Sequence, residues 1–242
     1  MAAPTGKAPE PKKPAFKDLI IKAKPQAPSK FIIMGDPMSG KTTLAAKAPR
    51  PLFISTDGNA AKAGLDAVNV DSLQTIREAI GFFEESDDYD TLVIDTIEGV
   101  ADLFEKQVIT EHNYETGDAV RALTDVAYGK LTGQFNRRIA AFSQTLAELS
   151  KNVLILTYTK RQVDDVSGSV VLSSELKGIR QFTKFSDGMI LTSYDGEKYG
   201  ARVTSRRTVM AGEIDYGPIE PFLRAAGWEL PQRKTKLGST KK

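Results

Sequence analysis

Residues 35–42 read GDPMSGKT, which sets two glycines, a lysine and a threonine at the spacing G-x-x-x-x-G-K-[ST]. Gly35 and Gly40 let the backbone bend so that consecutive N–H groups point inward at phosphate oxygens. Lys41 would then reach the β- and γ-phosphates, and the Thr42 hydroxyl would ligate Mg²⁺. The pattern therefore predicts a nucleotide site. Its residues are Gly35, Asp36, Pro37, Met38, Ser39, Gly40, Lys41, Thr42 and Thr43.

This loop needs a strand before it and a helix after it, and the sequence provides both. Residues 31–35 (FIIMG) are an apolar run of strand length, and the Ala-rich residues 41–48 predict a helix. The N-terminus of that helix would add partial positive charge at the same place. The context favours a phosphate site over a plain turn between a strand and a helix.

A second buried strand ends in a carboxylate, in the segment YDTLVIDT. Residues 92–94 are apolar and predict a buried strand, and Asp95 follows at its carboxyl end. In a phosphate-loop protein, an acid in this position holds the magnesium shell. We therefore expect Thr42 and Asp95 to form the metal site.

Two further acids are candidates for orienting or deprotonating an attacking water. Asp57 follows the apolar run 51–55 (PLFIS), and Glu98 lies shortly after Asp95. Ligand-facing groups of an α/β sheet collect at the carboxyl ends of its strands, so Asp57 is the first choice and Glu98 the second. Together with Lys41 they make up the predicted catalytic group. A cap at the end of the strand is the alternative role of Asp57.

The rest of the chain alternates short apolar runs with longer helical stretches, which is typical of a parallel sheet with crossover helices. Strands are predicted over 31–35, 51–55, 91–95, 153–158, 188–193 and 199–204, and helices over 41–48, 72–86, 97–112 and 132–150. The last two strands should form a hairpin across Asp195-Gly196. A short helix over 219–228 closes the fold. We expect one domain over residues 30–230.

The chain has 242 residues, of which 40% are apolar and 26% charged, as is ordinary for a soluble globular protein. No apolar run is long enough to span a membrane, and no signal-peptide pattern is present, which favours the cytoplasm. Cysteine is absent, so disulfide frameworks and Cys-based metal sites are excluded.

The net charge of +2 is unevenly distributed. Residues 1–30 hold seven lysines against two acids, residues 231–242 hold five bases and no acid, and residues 31–230 hold 21 bases against 29 acids. Composition predicts a disordered basic, Pro-rich arm over 1–29 and a disordered basic tail over 231–242. Such arms favour contact with a polyanion or a neighbouring subunit, and solvated tails without a specific role are the alternative.

Five segments together resemble the RecA-like P-loop ATPases encoded by bacteriophages: GDPMSGKTT, LFISTDG, YDTLVIDTIEG, AYGK and NVLILTYTKR. These minimal, core-only proteins include single-strand annealing recombinases. The resemblance covers about residues 30–225. It implies an α/β, RecA-like P-loop NTPase fold, with a mostly parallel twisted sheet, helices on both faces and a C-terminal β-hairpin.

The resemblance also implies a function. The protein would bind ATP with Mg²⁺, hydrolyse the ATP, bind single-stranded DNA, self-associate as an oligomer, and support recombination or strand annealing in the cytoplasm of a phage-infected host. A single-strand-binding or replication protein would be a further partner. The γ-phosphate sensor would end the fourth strand, at Thr157 or Thr159. The catalytic carboxylate would be Asp57, where relatives usually have Glu.

Basic residues acquire roles by the same resemblance. The DNA-contacting loops of such proteins follow the fourth strand, and a basic residue near the C-terminus often completes a neighbouring subunit's ATP site. The implied DNA-binding residues are Lys160, Arg161, Lys177, Arg180 and Lys184, and the implied trans-acting residues are Arg206 and Arg207.

Two other functions fit a phosphate loop. A nucleotide-gated interaction module, such as a helicase-loading factor, would bind ATP with little hydrolysis. A small-molecule kinase would need an Arg-rich lid, and residues 159–187 are interrupted by acids and rich in Gly and Ser. Resemblance of fold alone does not decide among these functions.

Overall fold

The computed structural model describes residues 29–126, 129–163, 170–174, 179–206 and 220–225. The predicted arm, apart from Ser29, and the predicted tail over 231–242 lie outside these residues, as does the boundary at residue 230. Within the described ranges, no helix is long and apolar enough to cross a membrane.

Strands and helices alternate along the described chain. The strands are β1 (Lys30–Gly35), β2 (Pro51–Ser55), β3 (Ala67–Asn69), β4 (Thr91–Asp95), β5 (Asn152–Val163), β6 (Val170–Ser174), β7 (Gly188–Tyr194) and β8 (Tyr199–Arg206). The helices are α1 (Lys41–Ala45), α2 (Asn59–Lys62), α3 (Leu73–Glu85), α4 (Ile97–Thr116), α5 (Lys130–Glu148), α6 (Ile179–Thr183) and α7 (Glu220–Ala225).

The strands form one sheet in the order β3-β2-β4-β5-β1-β7-β8, and β6 pairs with the outer part of β5. Every pairing from β3 to β7 is parallel, whereas β7 and β8 form an antiparallel hairpin. The carboxyl ends of the parallel strands therefore meet at one edge of the sheet. The predicted fold class, a mostly parallel α/β sheet with a C-terminal hairpin, is confirmed.

Alternate residues of the central strands pack on opposite faces of the sheet. On one face Ile32, Ile94 and Ile155 join a core that α3, α4 and α5 cover. On the other face Ile33 and Val93 join a core that includes residues of α1 and α7. Both faces are thus buried, which explains why the parallel strands are continuous apolar runs rather than alternating ones.

The structure contains three short elements that the sequence did not predict, and one strand that is longer than predicted. Helices α2 and α6 and strand β3 each have five residues or fewer, too few to show a period in the sequence. Strand β5 continues past residue 158 to Val163 and pairs antiparallel with β6, from Thr159↔Ser174 to Val163↔Val170. The segment expected to begin a DNA-contacting loop therefore begins as a hairpin strand.

Two lysines, the buried Lys30 and the partly buried Lys151, cap the C-termini of helices. Lys30 Nζ donates to the carbonyls of Leu146 and Leu149, at 2.8 and 2.9 Å, where α5 ends. Lys151 Nζ does the same for two carbonyls at the end of α3. The last carbonyls of a helix have no intrahelical partner, so these ammonium groups replace the missing donors. Burial lowers the pKa of Lys30 to about 8, although nearby Asp187 opposes the shift.

We expect Lys30→Met to lower the free energy of unfolding by about 1–3 kcal/mol, because two buried carbonyls lose their donor. The deficit should grow between about pH 7.5 and about pH 9.5. In this interval the unfolded Lys30 keeps its proton while the folded one releases it, since the pKa falls from 10.5 to about 8 on folding. Wild-type stability therefore gains with rising pH at this residue, and the variant lacks that gain.

Urea denaturation at the two pH values measures the effect. Lys106→Met on the exposed side of α4 is the matched control, with an expected change within about 0.5 kcal/mol. Equal stability of Lys30→Met and wild type at both pH values would contradict the capping role.

Candidate nucleotide site

The loop between β1 and α1 contains two glycines at positions where any side chain would clash or be strained. A Cβ at Gly35 would lie 2.2 Å from Thr192 Oγ1 and 2.3 Å from Ser39 Oγ. Those two hydroxyls are themselves 2.7 Å apart, so β7 supports the loop from below. Gly40 precedes α1 with a φ of 87°, in the left-handed region that favours glycine.

Lys41 is buried inside the curve of this loop. Its Nζ donates to the carbonyls of Gly35 and Asp36, both at 2.9 Å, and lies 4.3 Å from the centre of the Tyr158 ring. Burial lowers the pKa of Lys41, whereas the nearby carboxylates, of which Asp95 has the largest effect, raise it. The ammonium group is therefore already positioned where the loop would hold phosphate.

Thr42 and Asp95 are in direct contact. Thr42 Oγ1 donates to Asp95 Oδ2 at 2.9 Å, and Asp95 is 4% exposed. Burial raises the pKa of Asp95, and the hydrogen bond from Thr42 opposes the shift. A hydroxyl and a carboxylate are hard oxygen donors, and Mg²⁺ in nucleotide sites uses one or two such groups beside phosphate oxygens and water. The donor set thus fits Mg²⁺.

Glu98 lies in the first turn of α4, beside the ends of β4 and β5. Its Oε1 accepts hydrogen bonds from Thr157 Oγ1 and from the Tyr158 N–H, the latter at 3.0 Å. Its Oε2 is buried and has no hydrogen-bond partner among the described residues. A buried carboxylate oxygen without a donor is costly, and such groups need an explanation. Its charge also acts on Lys41, so Glu98 belongs to this site.

Asp57 occupies a different environment at the same edge of the sheet. It is exposed, and its Oδ1 accepts from the Asn59 N–H at 2.9 Å and from Ser55 Oγ at 3.1 Å. Its Oδ2 accepts from Asn59 Nδ2 at 2.6 Å. Both oxygens are therefore used within the turn that starts α2. The charge of Asp57 still reaches Asp95, but its hydrogen bonds stabilise a helix start.

The two sensor candidates have different contacts. Thr157 donates to Glu98, whereas Thr159 Oγ1 donates to Asp36 Oδ1 in the phosphate loop. Both threonines are buried. The sequence gives no signal for these pairings. Thr192 was also missed, and its only signal is a hydroxyl residue near the end of the apolar strand GMILTS.

The predicted basic residues lie in β5, in or just after α6, at the end of β8, or outside the described part. Lys160, Arg180 and Lys184 are exposed, Arg161 lies in β5, and Lys177 and Arg207 lie outside the described residues. Arg206 pairs with Gly188 at the end of the sheet where the parallel strands begin. That end of the sheet is opposite the phosphate loop.

Comparison with known proteins adds a family and two similar structures. Residues 27–210 match the protein family described as the AAA domain. No curated protein matches the sequence. The chain is similar to the RadB recombinase at 11% identity and a TM-score of 0.42, covering 75% of this chain and 83% of that one. It is similar to a KaiC-like protein from the hyperthermophilic archaeon Pyrococcus horikoshii OT3 at 13% identity and a TM-score of 0.43, covering 77% and 83%.

We expect Gly35→Ala to abolish nucleotide binding and to lower the free energy of unfolding by about 1–3 kcal/mol, because the new methyl overlaps two hydroxyls. Gly81→Ala in the exposed part of α3 is the matched control, since a Cβ there meets no atom within 4 Å. It should stabilise the helix by about 0.5–1 kcal/mol and leave binding unchanged. Calorimetry with Mg-ATP and thermal denaturation measure both effects. Wild-type binding by Gly35→Ala would refute the packing argument.

Proposed function

We propose that this chain, which belongs to the AAA domain family, is an ATPase that binds single-stranded DNA and supports recombination or strand annealing. This is the role that its resemblance to the RecA-like ATPases of bacteriophages implies. The observation that carries the ATPase part is the meeting of a buried lysine, a hydroxyl–carboxylate pair and a partly unpartnered glutamate at one edge of the sheet. The DNA part depends on charge and on the path of β5.

In this proposal the phosphate loop binds ATP and the end of β4 binds the metal. Lys41 exchanges its two carbonyl partners for β- and γ-phosphate oxygens, and the loop N–H groups bind the remaining phosphate oxygens. Thr42 and Asp95 hold Mg²⁺. When bound there, Mg²⁺ would neutralise negative charge that develops on the phosphate.

Glu98 is the proposed group that orients the attacking water. Thr157 and the Tyr158 N–H hold its Oε1, so the side chain is fixed in direction. Its Oε2, which has no partner among the described residues, can accept a hydrogen bond from water. Thr157 is then a positioning residue. Asp57, the first choice on sequence grounds, already uses both oxygens in the α2 turn. Thr159 is the proposed sensor, because it contacts the phosphate loop through Asp36.

We expect Lys41→Ala to lose both ATP binding and turnover. Glu98→Gln should keep ATP binding but lower turnover about 100-fold or more, because an amide cannot accept the proton of water. Asp57→Asn is the matched control, with turnover near that of the wild type. Phosphate release under saturating Mg-ATP and calorimetric Kd values measure these effects. If Asp57→Asn abolishes turnover and Glu98→Gln retains it, the water-orienting role returns to Asp57.

Two features support DNA binding. Residues 160–207 contain nine bases and six acids, whereas residues 51–130 contain five bases and 17 acids, so the positive charge is local. Strand β5 connects the two parts of the proposal: Thr159 contacts the phosphate loop, and Lys160 is the next residue, at the start of the β5–β6 hairpin. A change at the phosphate loop would thereby reach, along one strand, the hairpin that carries Lys160 and Arg161.

Self-association completes the proposal. The backbone of Arg206 lies at the opposite end of the sheet from the phosphate loop of its own chain, which favours the role that the resemblance implies for it, neutralising phosphate charge in a neighbouring subunit. We extend the same role to Arg207, which follows it in the sequence.

We expect Lys160→Glu and Lys184→Glu each to weaken binding of a fluorescein-labelled single strand about tenfold, and to lower the salt dependence of log Kd by about one unit. Lys106→Glu on α4 makes the same change of charge on the acidic part of the chain and should have little effect. Fluorescence anisotropy in low salt, with ATP and with ADP, measures this. Absence of binding by the wild type in both nucleotide states would remove the DNA role and leave the ATPase site in place.

A further inference from the structure

Two tyrosines stack on each other at the end of the β7–β8 hairpin. Tyr194 and Tyr199 are paired across the strands, with ring centres 4.6 Å apart and planes inclined by 28°. They are 49% and 66% exposed. Aromatic rings that are both stacked and open to solvent bury little area within the fold, so the pair is available to a ligand.

The hairpin holds this pair rigidly. Asp195 Oδ1 accepts from the N–H groups of Glu197 and Lys198, at 2.9 and 2.8 Å, which closes the turn. The Tyr194 hydroxyl donates to the Gly196 carbonyl at 2.7 Å. The rings are therefore preorganised, which reduces the entropy lost when a ligand stacks on them.

The pair adjoins the phosphate loop. A Cβ at Gly40 would lie 3.0 Å from Tyr199 Cδ1, so the ring packs directly against the last residue of the loop before α1. Tyr194 follows Thr192, which supports the loop at Gly35.

The order of strands sets the direction of a bound nucleotide. Glu98 and Asp95 lie on the β5–β4 side of β1, where the proposed function would hold the metal and the terminal phosphate. The β7–β8 hairpin lies on the other side of β1, since β7 pairs with β1 and β8 pairs with β7. A nucleotide whose terminal phosphate faces β4 directs its ribose and base away from β4, toward β7 and β8.

From this geometry we propose that Tyr194 and Tyr199 form the nucleobase subsite, with the base of the bound nucleotide stacked on the exposed face of the tyrosine pair. This inference rests on the proposed function, since it needs nucleotide in the phosphate loop. Stacking responds to ring area rather than to the pattern of donors on the base edge. The subsite therefore favours purine over pyrimidine triphosphates and discriminates weakly between ATP and GTP.

The test compares ATP with inorganic tripolyphosphate, which has the phosphates but no base. Calorimetry in Mg²⁺ buffer gives the Kd of each for the wild type and for Tyr199→Ala, Tyr199→Leu and Tyr199→Phe. Removing the ring should weaken ATP about tenfold and leave tripolyphosphate unchanged, while Tyr199→Phe keeps both affinities. Tyr199→Leu retains bulk against Gly40, so it separates lost stacking from a disturbed loop. Tyr114→Ala, at a tyrosine 91% exposed on α4, is the control.

Each other outcome overturns the subsite. Equal weakening of ATP and tripolyphosphate by Tyr199→Leu would mean that the ring only supports the loop. Unchanged ATP affinity with weaker oligonucleotide binding would assign the pair to DNA bases. A wild type that binds tripolyphosphate as tightly as ATP would remove the base subsite and keep the phosphate site, whereas a wild type that binds neither would remove both.

Discussion

Backbone hydrogen bonds join β1 to β5 on one side and to β7 on the other, and every part of the site depends on these two parallel ladders. Gly35 is paired with Tyr158 in one ladder and with Thr192 in the other. The phosphate loop therefore begins between the strand whose residues hold Glu98 and the strand that supports the loop. Parallel pairing brings strand ends to one edge, so residues far apart in sequence become neighbours.

Burial disfavours the charged form of two ionisable groups of the site, Lys41 and Asp95. It lowers the pKa of Lys41 and raises that of Asp95, since each group is taken out of water. Opposite charges and the Thr42 hydrogen bond only partly offset this desolvation. A triphosphate would supply negative charge to the lysine and a divalent cation positive charge to the aspartate. The site is thus complementary to a metal–nucleotide complex as a whole.

Strand β5 connects the proposed activities. Its buried half lies between β1 and β4, Thr157 holds Glu98 and Thr159 holds the phosphate loop, and its outer half leaves the sheet to pair with β6. In the proposed function, a change in the contacts at the phosphate loop would reach the β5–β6 hairpin along this one strand. The physical basis for coupling is therefore one continuous element with partners at both ends.

Local sequence determined much of this protein: the phosphate loop, Asp95, the apolar strands and the hairpin at Asp195-Gly196, because spacing, hydrophobic runs and turn residues act over a few positions. Local sequence did not determine which of two acids keeps a carboxylate oxygen without a hydrogen bond from a described residue. Asp57 and Glu98 both follow buried strands, but Asp57 is bound by Asn59 nearby and Glu98 by Thr157, 59 residues away. The tyrosine pair, too, is connected with the nucleotide site only because the folded chain places Tyr199 beside Gly40. Such contacts arise from strand order, which tertiary structure alone decides, because no local period records which distant strands become neighbours.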